Sequence, residues 1–533
     1  MNIAGISVVV ALLVIAIPLI SIAKRFNVSY PIVLVLGGVV LGFVPGLPNV
    51  PMDPDIVLLV FLPPLLYWEA ITAPTDAMRD NAGQIGVLAF GLVIATTIAV
   101  AAVAHAIIPG MSWAVAFVLG AIVSPTDELA AVPVLERFRL PRHVIAIIEG
   151  ESLLNDAAAL VLYATAITVV ATGAFHPLVA PFAFLGTVAG SLLIGFVAAR
   201  LAIALWRRIS DPQLQGIVSV ILPFMAYLPA QAFGLSGVLA VIMAGVYANR
   251  LTPRVLTPAA RQQLGGFWSM AVFLVNALVF LLVGLQLHGV ATSVFRHAPW
   301  EHVIAYAVAV NVTLVVVRLV LVVVAEYAPT AAPPDHALPN WRNALAVAWS
   351  GLRGGVSLAA ALAIPIALPN QTAFPHRELL IFITFSVILV TLVGGGLTLP
   401  LIIHGLGITG GNEEQEEMRL GELRASEAAL AKIDELASDG RIDAEHATSL
   451  RHSFEHRRDV KLRVDAGSHE HRLRHRDAER EIIDAQRQAL IEMREHGEID
   501  NVVLHRLLTG LDLALAQGTL VDEKEPGPKG SLT

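Results

Sequence analysis

Residues Gly120–Tyr163 read GAIVSPTDELAAVPVLERFRLPRHVIAIIEGESLLNDAAALVLY, and this stretch identifies the solvent the chain is built for. It holds two apolar runs with an acid near the middle of each, Asp127 in the first and Asp156 in the second. Glu151, Ser152 and Asn155 stand beside Asp156, and a basic clip of Arg137, Arg139 and Arg142 joins the runs. If both runs cross a bilayer, two carboxylates meet near its centre. An ionised side chain there costs about 2.5–3.5 kcal/mol on insertion scales, so an acid kept in such a place is expected to carry function.

Composition points the same way. The chain has 533 residues, 56% hydrophobic and 15% charged, where a soluble domain carries about 25% charged residues. Nearly everything apolar lies before about Gly410 and nearly everything charged lies after it. The net charge of -8 averages over two solvents and says little about partners. The chain has no cysteine, which excludes disulfides, thiolate metal sites and cysteine nucleophiles. Lys24 and Arg25 follow the first apolar run instead of preceding it, so that run reads as a span and not as a cleaved signal.

Runs of about 17–25 apolar residues mark spanning helices. Working outward from the opening stretch gives thirteen: 3–23, 30–46, 55–73, 84–108, 112–136, 143–172, 180–206, 213–229, 232–249, 266–287, 302–325, 341–366 and 378–405. Loops after odd-numbered runs carry Lys24/Arg25, Arg79, Arg137/Arg139/Arg142, Arg207/Arg208, Arg250/Arg254/Arg261 and Arg342. Loops after even-numbered runs carry only Arg296 and Arg377, and 44–54 has no basic residue. Basic loops stay in the cytoplasm, so the N-terminus is expected outside and the C-terminal tail inside.

Runs one to six and eight to thirteen, with run seven between them, would enter the membrane from opposite sides as an inverted repeat. Transporters of that build place their site where broken helices of the two halves meet near the midplane. Run five is interrupted at Ser124-Pro125-Thr126 and run twelve at Ser350-Gly351-Leu352-Arg353-Gly354-Gly355. Proline removes a helical hydrogen bond and glycine weakens a helix, so both segments are expected to unwind and turn carbonyls and half-helix ends towards one place. The expected fold is an all-α polytopic membrane protein of about 13 transmembrane helices in two inverted six-helix repeats with crossing broken helices. The membrane part spans 1–409, and 410–533 forms a helical cytoplasmic tail. In that tail, amphipathic helices are expected from Met418 onward, over Ala444 to Val464, His469 to His496 and Asp500 to Gln517. His469, His471 and His475 sit on its polar faces.

Run six starts near Arg142, which puts Asp156 about 20 Å along it, near the middle of a core about 30 Å thick. Glu151 and Asn155 share one helix face by their spacing, and Ser152 and Asp156 share the neighbouring one. With Thr126 and Asp127 at similar depth, the cluster offers carboxylate, hydroxyl, amide and freed carbonyl oxygens. Those suit a hard cation such as Na⁺; a transition metal would call for His or Cys. So many acids together need a counter-charge, and Arg318 and Arg353 are the arginines well inside the apolar second half.

At this point the sequence resembles a known family. Glu149-Gly150-Glu151-Ser152-Leu153-Leu154-Asn155-Asp156-Ala157 looks like the sixth-span signature of the sodium/proton exchangers of the first monovalent cation:proton antiporter family. Ser124-Pro125-Thr126-Asp127 with Glu136 resembles its fifth span, and Phe61 to Leu66, Gly234 to Ala240 and Gly351 to Ser357 also match. The resemblance covers the apolar part, and the tail is similar only to the variable tails of bacterial members.

The resemblance implies that Asp156 carries the ion and the proton, assisted by Asp127, Thr126 and Ser152, with Na⁺ at Asp156, Ser152 and Thr126. Asn155 before Asp156 implies an electroneutral member. Glu151 would pair with Arg318, and Arg353 would stabilise the crossing of runs five and twelve. The register of Tyr67-Trp68-Glu69 is shifted from the family's, and no role is assigned to Glu69. The resemblance further implies a cell-membrane homodimer that exchanges Na⁺ (or Li⁺ or K⁺) for H⁺. It would be no enzyme and would use no cofactor beyond its transported ions. A potassium/proton antiporter or a sodium-coupled symporter of organic anions shares the architecture. Gly234-Leu235-Ser236-Gly237 fits the Gly-x-Ser-Gly pattern of an intramembrane protease, but small residues there serve close helix packing. The interleaved charges from Arg472 to Arg480 argue against nucleic acid.

Overall fold

The computed structural model describes residues 3–26, 28–44, 57–128, 131–138, 140, 142–173, 180–326, 341–369, 371–408, 413–464, 486, 488–493, 496 and 507. It divides into two units, Met1–Gly411 and Asn412–Thr533. Helices dominate both, and among the described residues the only β-pairing consists of two isolated bridges.

The first unit begins with α1 (Ile3–Arg25), α2 (Tyr30–Gly42) and α3 (Leu62–Thr72), the last entered through a π-helical turn, Val57–Phe61. Then come α4 (Ala82–Ile107), the interrupted pair α5a (Trp113–Val123) and α5b (Val132–Arg137), and α6 (Arg142–Thr172). Next are α7 (Ala180–Trp206), α8 (Pro212–Ala232), α9 (Gly237–Val255), α10 (Pro258–His297) and α11 (Trp300–Glu326). A second interrupted pair, α12a (Trp341–Trp349) and α12b (Gly355–Leu362), precedes α13 (Arg377–Leu406). Among the described residues seven helices are long and apolar enough to cross a membrane: 82–107, 143–172, 184–206, 212–232, 258–296, 300–325 and 377–406. Along α11, Val308, Val312, Val316, Val320 and Val324 form a stripe more than half exposed. An uninterrupted apolar stripe is a surface for lipid, since soluble proteins rarely leave such patches in water.

Local chemistry sets the helix ends. Asp211 accepts from the amides of Gln213 and Leu214 at 2.8 and 3.0 Å, with Pro212 at the first helical position of α8. Ser236 caps α9 in the same way, accepting from Leu239 N at 3.3 Å. Two expected runs differ from the helices found. The run 232–249 becomes a helix only at Gly237, because Phe233 to Ser236 form a turn in which Gly234 has a φ of +69°. The run 266–287 is the middle of the 40-residue α10. Hydropathy sees the apolar centre, whereas backbone hydrogen bonding continues through Arg261 and Gln262 at one end and Thr292 and Ser293 at the other. At 1.5 Å per residue α10 is about 60 Å long, about twice the core of a bilayer.

The helices of this unit pack as two bundles. α1, α2, α3 and α7 to α10 form one; α4 to α6 and α11 to α13 form the other. They meet along a seam where α10 faces α12b and α13, α2 faces the π-helical part of α13, and α6 faces α3 and α9. Within the first bundle α2 and α10 cross backbone to backbone. A Cβ at Gly284 would lie 2.0 Å from the carbonyl oxygen of Val35, so only glycine permits the crossing.

The second unit is described as a helical hairpin, α14 (Glu413–Ser438) and α15 (Ala444–Val464), with Ile433 and Ala447 buried between its arms. Gly440 turns the chain at φ +67°, and Asp443 caps α15 by accepting from His446 N at 2.6 Å. Asp434 and Arg451 pair across the arms. The helices expected over His469 to His496 and Asp500 to Gln517 fall almost wholly outside the described residues, as do His469, His471, His475 and Arg139.

Candidate ion site at the crossing of two interrupted helices

Pro125 has no amide to continue α5a, and the glycines after Ser350 let α12a unwind. The two freed strands cross and pair, Asp127 N donating to Leu352 O at 2.8 Å. Four half-helix ends therefore converge, two with exposed carbonyls and two with exposed amides. Side chains of opposite charge meet them. Arg353, 2% exposed, donates from Nε to Val123 O, the end of α5a, at 3.2 Å, and from Nη1 to Gly351 O at 2.6 Å. Arg318 of α11 donates from Nε to Ala348 O at 2.9 Å and from Nη2 to Val347 O at 3.0 Å, which closes α12a. Asp127 Oδ2 accepts from Gly355 N at 3.3 Å, at the amino end of α12b. A Cβ on Gly354 would lie 1.5 Å from that oxygen, so the carboxylate is seated where only glycine leaves room.

Arg318 uses its remaining donors on Glu151. Nη1 lies 2.5 Å from Oε1 and Nη2 3.1 Å from Oε2, a two-pronged pair with both side chains buried. Thr126, at the break in α5, gathers the buried edge of α6 that faces it. Its hydroxyl donates to Glu151 Oε1 at 3.1 Å and accepts from Asn155 Nδ2 at 2.6 Å, while its carbonyl accepts from Ser152 Oγ at 3.0 Å. Residues 151, 152 and 155, read from the sequence as neighbouring faces of one helix, thus all reach one threonine. Asn155 Oδ1 is buried with no hydrogen-bond partner among the described residues, a spare acceptor oxygen beside the break.

Asp156 differs from its neighbours. It is 5% exposed, and its carboxylate makes no hydrogen bond or ion pair among the described residues. Glu151 is neutralised by Arg318 and Asp127 is engaged with α12b; Asp156 keeps a buried carboxylate without a partner among the described residues, as does Glu128 at its Oε2.

Beside Asp156 in the seam is a small cavity of about 50 Å³ lined by Glu69, Thr72 and Ala73 of the first bundle and Glu128, Glu149 and Leu153 of the second. Glu128 and Glu149 as cavity walls were not singled out from the sequence, and Glu69 was left without a role. The signal available was an acid within or at the edge of an apolar run, which each of them is. Among the described residues no group of three His, Cys, Asp or Glu could hold a metal ion. What the arrangement offers is a set of oxygen ligands.

Comparison with known proteins agrees with this geometry. The transmembrane sodium/hydrogen exchanger family model matches residues 8–405. An uncharacterized Na⁺/H⁺ exchanger of Mycobacterium tuberculosis is 33% identical over 531 residues, covering 96% of both chains. A sodium, potassium, lithium and rubidium/H⁺ antiporter of Bacillus pumilus is 34% identical over 396 residues, 72% of this chain and 59% of that one. The fold is similar to that of the sodium proton antiporter MjNhaP1 from Methanocaldococcus jannaschii, with a TM-score of 0.60 at 18% identity over 76% of this chain and 99% of that one. These are transporters and not enzymes, and the chain belongs with them to the sodium/hydrogen exchanger family.

Proposed function

We propose that this chain exchanges Na⁺ for H⁺, one for one, across the cell membrane, with Asp156 as the carboxylate that both ions share. The observation that carries the reading is the contrast among the acids at the crossing. Glu151 and Asp127 have fixed partners, and Asp156 has none. Thr126, Ser152 and the spare oxygen of Asn155 supply neutral ligands around Na⁺, while Glu151, Arg318 and Arg353 hold the crossing in shape. A proton on Asp156 and a Na⁺ beside it exclude each other, because the site has one free negative charge for either. The thirteen runs then cross as two inverted repeats with the N-terminus outside and the tail in the cytoplasm, and two copies form the working dimer. The cavity walled by Glu69, Glu128 and Glu149 lies at the end of the seam carrying the basic loops, which makes it the cytoplasmic entrance. The breadth of cations in the Bacillus pumilus relative's name makes K⁺ the first alternative to measure in the same assay.

Electroneutrality gives the direct test. Each loaded form carries the same compensated charge, because Asn155 adds no second acid. In proteoliposomes with no pH gradient, a K⁺/valinomycin potential is expected to leave Na⁺ uptake unchanged. Sustained uptake that follows the voltage would mean unequal stoichiometry and would sink the one-for-one reading of Asn155-Asp156.

The tail is assigned a regulatory part in this scheme. Truncation after about Gly410 is expected to keep exchange and to move its pH profile, since eight of the 17 histidines lie beyond that point. An unchanged profile in the truncated chain would reduce the tail to an appendage.

A further inference from the structure

The seam between the two bundles is open at one end and tied at the other. α9 and α10 are joined by Leu256-Thr257 alone, so the cavity end, where Asn249 Nδ2 donates to Ala73 O at 2.8 Å, lies near the start of α10. Ser293 lies about 50 Å further along the same helix at 1.5 Å per residue. There it faces α13 of the other bundle, and its hydroxyl donates to Glu378 Oε2 at 2.6 Å. Next to this bond Phe295 packs edge-on against Phe382, ring centres 5.4 Å apart, and Val294, Val303, Ala307 and Phe382 form a small buried cluster of their own. This is the described hydrogen bond from the first bundle to a carboxylate of the second that lies farthest from the cavity.

The residue before Glu378 turns the other way. Arg377 donates from Nε to Ile364 O at 2.9 Å and from Nη2 to Leu362 O at 3.3 Å, closing the carboxyl end of α12b. The amino end of that eight-residue helix is held by Asp127. His376, at φ 54°, sets up this start of α13. Two consecutive side chains therefore connect the helix at the ion site to the outer seam: Arg377 grips α12b within its bundle, and Glu378 grips α10 across the gap.

We propose that Ser293 and Glu378, backed by Phe295 and Phe382, are a latch that holds the seam shut at the end away from the cavity and must part for ions to leave on that side. The proposal rests on the antiport reading. Glu378 touches neither ion; it is a positioning residue that sets how often the second opening is populated. A ligand's apparent affinity falls by the fraction of its binding-competent state, so weakening the latch raises affinity on the latch side and lowers it on the cavity side.

Because the chain has no cysteine, the latch can be tested with introduced ones alone. The full-length chain carrying Ser293→Cys and Glu378→Cys is bridged in membranes with a short bifunctional methanethiosulfonate, with linkage verified by intact mass. Expected is a loss of Na⁺-driven proton movement of more than about tenfold that reductant reverses, with either single-cysteine chain unaffected by the reagent. In parallel, Glu378→Gln without cross-linking is expected to strengthen apparent Na⁺ affinity about two- to fivefold on the latch side and weaken it on the other, since glutamine still accepts from Ser293 and only the charge assistance of the bond is lost. Bridged protein exchanging at its unbridged rate, failure of the pair to bridge, or unchanged affinities on both sides in Glu378→Gln would each overturn the latch. An unmodified chain that moves no protons under a Na⁺ gradient would overturn the antiport reading itself, and the latch with it.

Discussion

Asp156→Asn is expected to abolish Na⁺/H⁺ exchange and leave the protein folded. Asparagine has nearly the shape of aspartate, and no described residue donates to the Asp156 carboxylate, so the exchange breaks no hydrogen bond or ion pair in the fold. It removes a buried carboxylate that has no fixed partner among the described residues. Neither a proton nor a Na⁺ can then be carried by that position, and a loss of about a hundredfold or more is the expected scale for a charge at the reacting centre. The measurement is Na⁺-driven dequenching of a pH dye in everted vesicles, with thermal stability and expression followed beside it. Substantial proton movement in a well-expressed variant would take the shared-carboxylate mechanism down. Asp127→Asn behaves differently, because its carboxylate also receives Gly355 N at the head of α12b. Some stability is expected to go with activity there, and that pairing of losses separates the two acids.

Glu151 and Arg318 give the largest expected effect on stability. They are 1% and 3% exposed, and their two-pronged contact leaves each as the other's neutralising charge. Removing one member of a buried ion pair strands the other, at about 3–5 kcal/mol, whereas replacing both is often close to neutral. Glu151→Gln and Arg318→Met alone should each lower thermal stability strongly, and the double variant should recover part of the loss. Recovery is expected to be incomplete for a reason visible in the structure. Arg318 also serves Val347 O and Ala348 O, and methionine removes the donor from Ala348 O and leaves Val347 O with Ser350 Oγ alone. A double-mutant cycle with strictly additive losses would refute the coupling.

How much of this was legible beforehand follows from what hydropathy and spacing can detect. Apolar runs found the helices because burial in lipid is a property of many consecutive residues. The breaks at Ser124-Pro125 and Gly351-Leu352-Arg353-Gly354 were visible because proline and glycine act on the backbone whatever surrounds them. Helix spacing placed Glu151, Ser152 and Asn155 on adjoining faces, and the family resemblance supplied the pairing of Glu151 with Arg318, which lie 167 positions apart in sequence. The convergence of Glu151, Ser152 and Asn155 on Thr126 was not legible, because it depends on how two unwound strands cross. Nor was the length of α10, whose polar ends lie outside any apolar window. Glu69, Glu128 and Glu149 escaped for a further reason: no repeat or pattern says that three acids on three elements face one cavity. That grouping is produced by the meeting of two bundles, a property of tertiary packing alone.

The join between the two interrupted helices is made by main chain, the amide of residue 127 meeting the carbonyl of residue 352. A fastener built from peptide groups does not care which side chains sit upon it. The identity at 352 is free to drift among residues that fit its buried place, and a change of the acid at 127 weakens its hold on Gly355 N while the amide pairing stays; proline at 127, which lacks the amide, breaks that pairing as well. Heredity can therefore retune what this crossing carries while the crossing itself stays inherited, so that a change of cargo need not first pass through a broken scaffold.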